Sequence, residues 1–364
     1  MDLKRVVVRL PGSKFGDFLM STPALQGLKL RWPCVHVAAI HSGTSLPPWL
    51  IDHPLVDEPI LDYRPKKISG LDGIPKLVRT LKAGNFDAAI MLQSRTRYMW
   101  AFRMAGIPIR IGCSDAVVKG LLTVNVGENR DVPDRHEVEY NFDLMRQLQV
   151  TGLPGPMVLQ QSEAATDRVQ ELLLPIANHK GPVVALTATH GGSSRRLPRD
   201  VFIAATREIA QTRNAKIMII GSEADGDYNQ TIADELGTRS LNLTGKTSIA
   251  TLGDVLKRAT LHLSIDTGTS HAAAAVGTPC VTIFPASDHW DQRVRWVPWM
   301  VQTRLLGPQS RCAGCKPFEC NRKSEACIAS ITAEDVTKAT ISLLDELVSE
   351  PHPSASEHET LMPQ

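Results

Sequence analysis

Short apolar runs, rich in β-branched residues, alternate along the chain with segments of helical spacing. Residues 5–10 (RVVVRL), 35–40 (VHVAAI) and 86–92 (FDAAIML) have the composition of buried strands. Residues 22–32 and 74–84 lie between them and carry apolar side chains at the spacing of a helix. Alternating strands and helices predict a mostly parallel sheet with helices on both faces.

The same alternation restarts after residues 151–156 (TGLPGP), which we interpret as a linker. The later segments predict strands at 182–188, 215–221, 261–265 and 280–284, and helices near 163–175, 200–212, 270–276 and 333–348. The fold class is therefore predicted to be α/β, with two Rossmann-like, doubly wound domains facing a central cleft.

The domain boundaries follow from this pattern. We predict an amino-terminal domain over residues 1–155 and a carboxy-terminal domain over 156–348. Residues 349–364 are polar and rich in Pro and Ser, so a disordered tail is expected there. A chain of 364 residues is long enough for two domains of common size.

Charge and composition narrow the range of partners. The net charge is +2, and residues 1–150 are mildly basic, with 20 Lys and Arg against 15 Asp and Glu. Only 5% of residues are aromatic and no basic-aromatic stripe occurs, so nucleic-acid binding is not expected. The start MDLKRVVVRL is too short and charged for a signal peptide, and no apolar run is long enough to span a bilayer. A cytoplasmic protein is predicted.

One carboxylate stands in a glycine-bounded loop directly after the first strand. Residues 11–18 read PGSKFGDF, with Gly12 and Gly16 on either side of Ser13 and Lys14 and with Asp17 at the start of the next helix. The glycines permit tight turning and close approach of a substrate. From spacing alone, Asp17 is either a first-turn acid that complements the helix dipole or a functional carboxylate.

A second feature is the sequence LHLSIDTGTSHAAAAVGTPCVTIF at residues 261–284. The strand ends at Asp266, and Thr267 and Gly268 turn into a helix of small residues that contains His271. Free backbone N–H groups and the positive dipole end at such a helix start form a phosphate site. Asp266 would orient N–H groups or accept a sugar hydroxyl, whereas the alternative is a capped turn with a core histidine.

Two further loops follow strands in the second half. Residues 187–202 (TATHGGSSRRLPRDVF) place Arg195 and Arg196 before a helix, where they would neutralise a diphosphate or simply lie on the surface. Residues 219–229 (IIGSEADGDYN) place Glu223 just past a strand, as a ribose ligand or an exposed turn. Neither a G-x-G-x-x-G fingerprint nor a P-loop is present, which argues against a dehydrogenase or an ATPase.

Four of the seven cysteines are close together, at Cys312, Cys315, Cys320 and Cys327. In a reducing compartment this spacing fits a tetrahedral structural zinc or iron site, and free or redox-active thiols are the alternative. Such a site would be structural because four thiolates leave no open position. The other three, Cys34, Cys113 and Cys280, are predicted to be small buried residues.

Taken together, these motifs resemble the ADP-heptose:lipopolysaccharide heptosyltransferases of glycosyltransferase family 9. The likeness rests on GSKFGDFLMSTPALQGLKLRWP, on DTGTSHAAAAVGTP and on the segments 86–113 and 135–145 between them, and it runs from about residue 5 to 345. It implies a GT-B fold, with the acceptor held mainly by the first domain and the sugar nucleotide mainly by the second. It further implies an inverting transfer from ADP-heptose with no catalytic metal.

The resemblance also implies roles for single residues. Asp17 matches the general base. Arg195 falls where the family has a basic residue that contacts the diphosphate. The family motif K-x-W-P reads RRLP here, so either Arg195 or Arg196 could occupy the position of the family's lysine. Thr267, Gly268 and His271 match the phosphate and sugar contacts. These residues come from two domains, so cleft closure should assemble the site.

The expected partners follow from this resemblance. They are an ADP-sugar donor and a lipid-linked saccharide acceptor, which would bring the enzyme to the cytoplasmic face of the inner membrane. A carboxylate with an ordinary pKa of about 4 can serve as the base if the proton moves late in the reaction. The alternatives are transfer of another sugar, transfer onto protein, and an inactive sugar-nucleotide-binding protein.

Overall fold

The computed structural model describes residues 2–12, 14–64, 73–113, 120–127, 130, 134–160, 165–189, 197–284, 292–309 and 326–349. Within these ranges lie two parallel six-stranded sheets. The strands of the first sheet are β1 (Arg5–Arg9), β2 (His36–Gly43), β3 (Glu58–Tyr63), β4 (Ala88–Met91), β5 (Ile109–Gly112) and β6 (Val124–Asn125). The strands of the second are β7 (Val183–Thr187), β8 (Lys216–Ile219), β9 (Ser240–Asn242), β10 (Leu261–Ile265), β11 (Cys280–Ile283) and β12 (Thr303–Leu306).

Thirteen α-helices lie within the described residues, five in the first half and eight in the second. The first five are α1 (Phe15–Leu19), α2 (Thr22–Arg31), α3 (Ile74–Ala83), α4 (Thr96–Met104) and α5 (Glu137–Arg146). The others are α6 (Thr166–Leu173), α7 (Arg199–Thr212), α8 (Gly226–Leu236), α9 (Ile249–Lys257), α10 (Gly268–Ala275), α11 (Arg293–Trp296), α12 (Ala326–Ala329) and α13 (Ala333–Ser349).

Both sheets have the same strand order. The first runs β3-β2-β1-β4-β5-β6 and the second β12-β11-β10-β7-β8-β9, so each repeats the Rossmann topology. In each sheet the direction of winding reverses between two neighbouring central strands, β1 and β4 in the first and β7 and β10 in the second. Ligands of doubly wound sheets bind beyond the carboxyl ends of the strands at this reversal point.

Helices cover both faces of each sheet. Side chains of α2 and α5 pack on one face of the first sheet, and those of α3 and α4 pack on the other. Side chains of α7, α8 and α13 cover one face of the second sheet, and those of α6, α9 and α10 cover the other. The α/β fold class predicted from the alternating pattern is therefore confirmed.

The two domains also share a hydrophobic core. Leu19, Met20 and Val138 of the first sheet's helices are buried in the same cluster as α9 and α10 of the second. Residues 151–160, which include the predicted linker 151–156, have no regular secondary structure. The residue at which one domain ends and the other begins stays a prediction.

The cysteine predictions need one correction. Cys280 is buried as expected, but Cys34 is exposed and Cys113 is partly exposed. Cys34 follows Pro33 in the turn between α2 and β2, where the chain runs over the surface. The apolar character of cysteine therefore led to a wrong prediction of burial for Cys34.

Candidate active site

The loop after β1 brings Asp17 to the reversal point of the first sheet. Gly12 has a φ of +50°, and a Cβ atom there would lie 2.3 Å from Asp17 Oδ2. Only glycine therefore lets the carboxylate of α1 fold back over the loop. The Gln93 side chain after β4 braces the same loop, because its Oε1 accepts a hydrogen bond of 3.3 Å from the Gly12 N–H.

The turn from β10 into α10, in the second domain, lies opposite the loop that carries Asp17. Thr267 is the N-cap residue in extended conformation, and the helix begins at Gly268 rather than at the predicted 270. The first N–H groups of a helix lack intrahelical partners, so those at the start of α10 are available for hydrogen bonds to a ligand. The Ser270 side chain stabilises this turn, because its hydroxyl lies 2.9 Å from Ser264 Oγ and donates a hydrogen bond to Ile265 O.

Helices α1 and α10 are in contact at two glycines, Gly16 and Gly268. A Cβ atom on Gly16 would lie 2.8 Å from His271 Cδ2 and 3.3 Å from Gly268 Cα. A Cβ atom on Gly268 would in turn lie 3.3 Å from Gly16 N. The start of α1 therefore packs directly on the start of α10, and this contact places Asp17 next to the turn that was predicted to bind phosphate.

Two carboxyl groups with raised pKa values lie at this junction. Burial raises the pKa of Asp17 to about 6, and the nearby charges of Lys14 and Arg295 oppose the shift while Glu137 adds to it. Burial also raises the pKa of Asp266 to about 7, with Lys14 opposing and Asp17 adding to the shift. The sequence-based expectation of an ordinary pKa near 4 for Asp17 is wrong because burial at the domain junction is a tertiary effect.

His271 is a neutral side chain. It is 4% exposed, and burial lowers its pKa to about 3. Its Nδ1 atom has no hydrogen-bond partner among the residues that the structure describes. The imidazole can therefore donate or accept one hydrogen bond toward a ligand, but it does not contribute a positive charge to a phosphate site.

Glu223 lies at the same edge of the second sheet as Asp266. It begins a short 3₁₀ helix after β8, and the Asp225 carboxylate accepts hydrogen bonds from the N–H and hydroxyl of Ser222 to fix this turn. Strands β8 and β10 are separated only by β7, so the two strand ends lie about 10 Å apart. That separation suits a ligand with a phosphate at one end and a ribose at the other.

Several predicted site residues lie outside the described residues. They are Ser13, Arg195, Arg196, Cys312, Cys315 and Cys320. The fourth cysteine, Cys327, is described and buried in the core of the second domain. Among the described residues no group of three or more His, Cys, Asp or Glu side chains is arranged to hold a metal.

Sequence reasoning missed a charged cluster that joins the two domains beside Asp17. Glu137, at the first turn of α5, is 2% exposed and lies 2.5 Å from Arg130 Nη1 and 2.5 Å from Arg295 Nε. Arg295 belongs to α11 of the second domain and also donates to the Arg130 carbonyl. Glu137 lies in the segment 135–145 that carried the family resemblance, but nothing in its local pattern indicated a partner 158 residues away.

His136 and Trp299 extend this contact. His136 Nε2 donates a hydrogen bond of 2.8 Å to Val297 O, and its Nδ1 accepts from Val138 N. The Trp299 ring lies 4.6 Å from the His136 ring, and its indole N–H donates to Gly155 O. Burial lowers the pKa of His136 to about 4, so the ring joins the domains as a neutral hydrogen-bonding group.

Comparison with known proteins identifies the family. The model of glycosyltransferase family 9 (heptosyltransferase) matches residues 74–325, more than half of the chain. The chain belongs to glycosyltransferase family 9. It is a glycosyltransferase, and the recognition of this family from the DTGTSHAAAAVGTP and GSKFGDF motifs is confirmed.

Similar individual proteins and solved structures agree with this family assignment. A lipopolysaccharide heptosyltransferase 3 of Escherichia coli strain K12 is 24% identical over 345 residues, which cover 91% of this chain and 96% of the relative. A family 9 glycosyltransferase from Veillonella parvula has a TM-score of 0.75 at 20% identity, covering 95% and 99% of the two chains. The E. coli ADP-heptose lps heptosyltransferase II has a TM-score of 0.67 at 20% identity, covering 95% and 100%. These structural likenesses establish the GT-B fold.

Helices long and apolar enough to cross a bilayer do not occur among the described residues of this transferase.

Proposed function

We propose that this glycosyltransferase moves a heptose from ADP-heptose to a hydroxyl of a lipopolysaccharide-core saccharide, with inversion at the anomeric carbon. The names of the E. coli relatives support the donor and the acceptor, since one is a lipopolysaccharide heptosyltransferase and another an ADP-heptose lps heptosyltransferase. The observation that carries the proposal is the contact of Gly16 with Gly268 and His271, which places a carboxylate opposite a helix N-terminus.

Asp17 is the proposed general base. Inversion requires the acceptor hydroxyl to attack opposite the departing diphosphate, and the base removes the hydroxyl proton as the new bond forms. With a pKa of about 6, Asp17 is mostly ionised at neutral pH and is a stronger base than an exposed aspartate. The sugar–phosphate bond breaks, the acceptor oxygen bonds to the anomeric carbon, and the proton goes to Asp17 Oδ.

The start of α10 is the proposed site of the diphosphate. Negative charge develops on the leaving ADP, where the free N–H groups of Gly268 and Thr269 and the helix dipole stabilise it. Arg195 or Arg196 would add a positive charge at the same place. In this proposal the helix and the arginine perform the role that a divalent cation has in other transferases.

Asp266 and Glu223 are the proposed sugar contacts of the donor. Asp266 has a pKa of about 7, so a large fraction is protonated at neutral pH and can donate a hydrogen bond without repelling the diphosphate. Glu223 is exposed at the end of β8, at the distance expected for the ribose of a nucleotide whose phosphate lies at α10. His271 would give one neutral hydrogen bond.

Cys312, Cys315, Cys320 and Cys327 are the proposed ligands of a structural zinc or iron ion. The support is their spacing and their thiolate chemistry. Metal analysis of the purified chain by mass spectrometry tests this part. About one equivalent of zinc or iron is expected, and a Cys312→Ser, Cys315→Ser variant should lose it. An absence of both metals from the native chain would contradict the proposal.

A panel of ADP-, UDP- and GDP-sugars with a saccharide acceptor tests the main proposal. We expect turnover with ADP-heptose only, and loss of about 10²–10⁴ in rate for Asp17→Ala with ADP binding nearly unchanged. Turnover with a UDP- or GDP-sugar would overturn the donor assignment. Labelling of protein instead of saccharide would overturn the acceptor, and ADP binding without any turnover would indicate an inactive binding protein.

A further inference from the structure

The outer face of α4 exposes two large apolar side chains. Trp100 is 48% exposed and Met104 54% exposed, and because they are four residues apart they lie on the same face of the helix. Arg103 is exposed beside them, whereas Tyr98, Met99 and Phe102 of the same helix are buried in the core. Scattered single exposed apolar residues are normal in proteins, but a tryptophan paired with a methionine on one turn is an apolar patch.

Unpaired cations surround this patch. Helix α3 packs beside α4 on the same face of the first sheet and exposes Lys76, Arg79 and Lys82. Neither helix contains an acidic residue. Within the described part of the chain, these three side chains and Arg103 form no ion pair with a carboxylate.

The acidic residues near this surface point elsewhere. Asp87 is the single acid between residues 73 and 107, and its carboxylate accepts hydrogen bonds from the backbone N–H groups of Lys4 and Arg5. Asp62, at the end of β3, is buried and pairs with Arg97 at 3.0 Å. Among the described residues of α3 and α4, the exposed surface therefore carries cations and no acid around its apolar centre.

Other exposed apolar residues have a different setting. Leu174 is 73% exposed, and close to it in the chain Arg168 pairs with Glu171 at 2.7 Å. Helix α13, which exposes Val348, carries four acidic residues, and its Asp345 pairs with Arg213. The α3–α4 surface differs from these two in joining a Trp–Met pair to cations that form no ion pair among the described residues.

We propose that the α3–α4 surface, formed by Lys76, Arg79, Lys82, Trp100, Arg103 and Met104, docks onto an anionic lipid bilayer. Tryptophan prefers the boundary between headgroups and acyl chains, and basic side chains next to it are attracted to anionic lipids. Lysine is depleted in protein–protein interfaces, and among the described residues no carboxylate pairs with these cations, so charge complementarity favours a lipid surface over a protein partner.

The orientation fits the position of the candidate site. Both helices begin at the carboxyl edge of the first sheet, where a Cβ atom on Gly73 would lie 3.4 Å from Arg97 Nη2. The loop of Gly12 and Asp17 leaves the same edge of the sheet. Docking of the α3–α4 surface would therefore bring to the membrane one face of the domain that carries Asp17. The docking surface itself does not depend on the identity of donor or acceptor.

Vesicle co-sedimentation of the full chain tests the proposal. We expect binding to vesicles of phosphatidylcholine with phosphatidylglycerol, little binding to phosphatidylcholine alone, and weaker binding as salt is raised. A variant with Lys76, Arg79 and Lys82 changed to Gln should lose about a hundredfold in partitioning. A Trp100→Ala, Met104→Ala variant should also lose binding, whereas Leu174→Ala should bind as the native chain does.

Two further measurements separate this proposal from its competitors. All variants should keep the native melting temperature. With a delipidated soluble acceptor they should also keep the native transfer rate. If the native chain shows no transfer at all, the proposed function is wrong, but the docking surface is not affected. Native-level vesicle binding by either surface variant would overturn the proposal. The proposal would also be overturned if the native chain did not bind vesicles and light scattering showed a dimer that Trp100→Ala dissociates. The patch would then be a protein interface.

Discussion

The carboxylate of Glu137 joins the two domains, with its Oε2 atom 2.5 Å from Nε of Arg295. The pair is buried and includes Arg130 as a second cation, so removal of the carboxylate takes the same ion-pair partner from two guanidinium groups. It also lies close enough to Asp17 that both charges affect the pKa of the proposed base. The same contact thus holds the domains together and sets the electrostatic environment of the site.

The first prediction concerns stability. Glu137→Gln should lower the free energy of unfolding by about 3 kcal/mol, because breaking a buried pair leaves uncompensated charge. A double-mutant cycle with Arg295→Met, followed by urea denaturation, should give a coupling energy of about 1–3 kcal/mol. Asp345→Asn is the matched control, because it breaks an exposed pair with Arg213 and should cost much less. Equal losses for the two pairs would contradict a special role for the domain contact.

A second prediction concerns the pH dependence of transfer. The rate should fall on acidification with a midpoint near pH 6, because Asp17 has a pKa of about 6 and must be ionised to accept a proton. Glu137→Gln should move this midpoint down, and Arg295→Met should move it up, since one charge raises and the other lowers the pKa of Asp17. Profiles of kcat/KM against pH check both directions. Shifts of the same sign in the two variants would refute the electrostatic assignment.

Third, neutralising Asp17 should stabilise the free enzyme at alkaline pH. Its pKa in the folded chain, about 6, is above the ordinary value, so its contribution to stability is complete below about pH 4 and is lost as pH rises through 6. Asp17→Asn should therefore be about 1–3 kcal/mol more stable than the native chain at pH 8, with no advantage below pH 4. Urea denaturation at the two pH values measures this. Asp17→Asn should also be inactive, in keeping with a stability–activity trade-off at an active site.

Fourth, Gly16→Ala should separate α1 from α10. The new methyl group would lie 2.8 Å from a ring carbon of buried His271 and 3.3 Å from the Gly268 backbone, and neither can move away freely. We expect a loss of about 1–3 kcal/mol in stability and a large loss of transfer activity. Gly226→Ala is the control, because a Cβ atom there meets nothing within 4 Å. Native activity in Gly16→Ala would mean that this contact is not needed to assemble the site.

Much of the fold was predictable because it depends on short-range patterns. The side chains at residues 6–8 of the run RVVVRL and at residues 261–265 (LHLSI) are fully buried, as expected of central parallel strands, and both runs lie in the centre of their sheets. Two of the elements that local pattern reasoning left out, β6 and β9, are short edge strands with partly exposed side chains. Their pairing depends on the neighbouring strand and leaves little trace in the sequence.

The sequence by itself determined the chemistry at the strand ends. Glycines around Asp17 and the DTG turn before His271 are local features, because a tight turn and a helix N-terminus each require particular residues within a few positions. The family was recognisable from these motifs for the same reason.

Only the tertiary structure decided how those local features act together. The raised pKa values of Asp17 and Asp266, the neutral state of His271 and the Glu137–Arg295 pair all arise from burial between the two domains. Burial and charge pairing depend on residues that are distant in sequence and adjacent in space, so no local pattern encodes them. The motifs could be found in the chain, but the properties of the site they form come from the packing of one domain on the other.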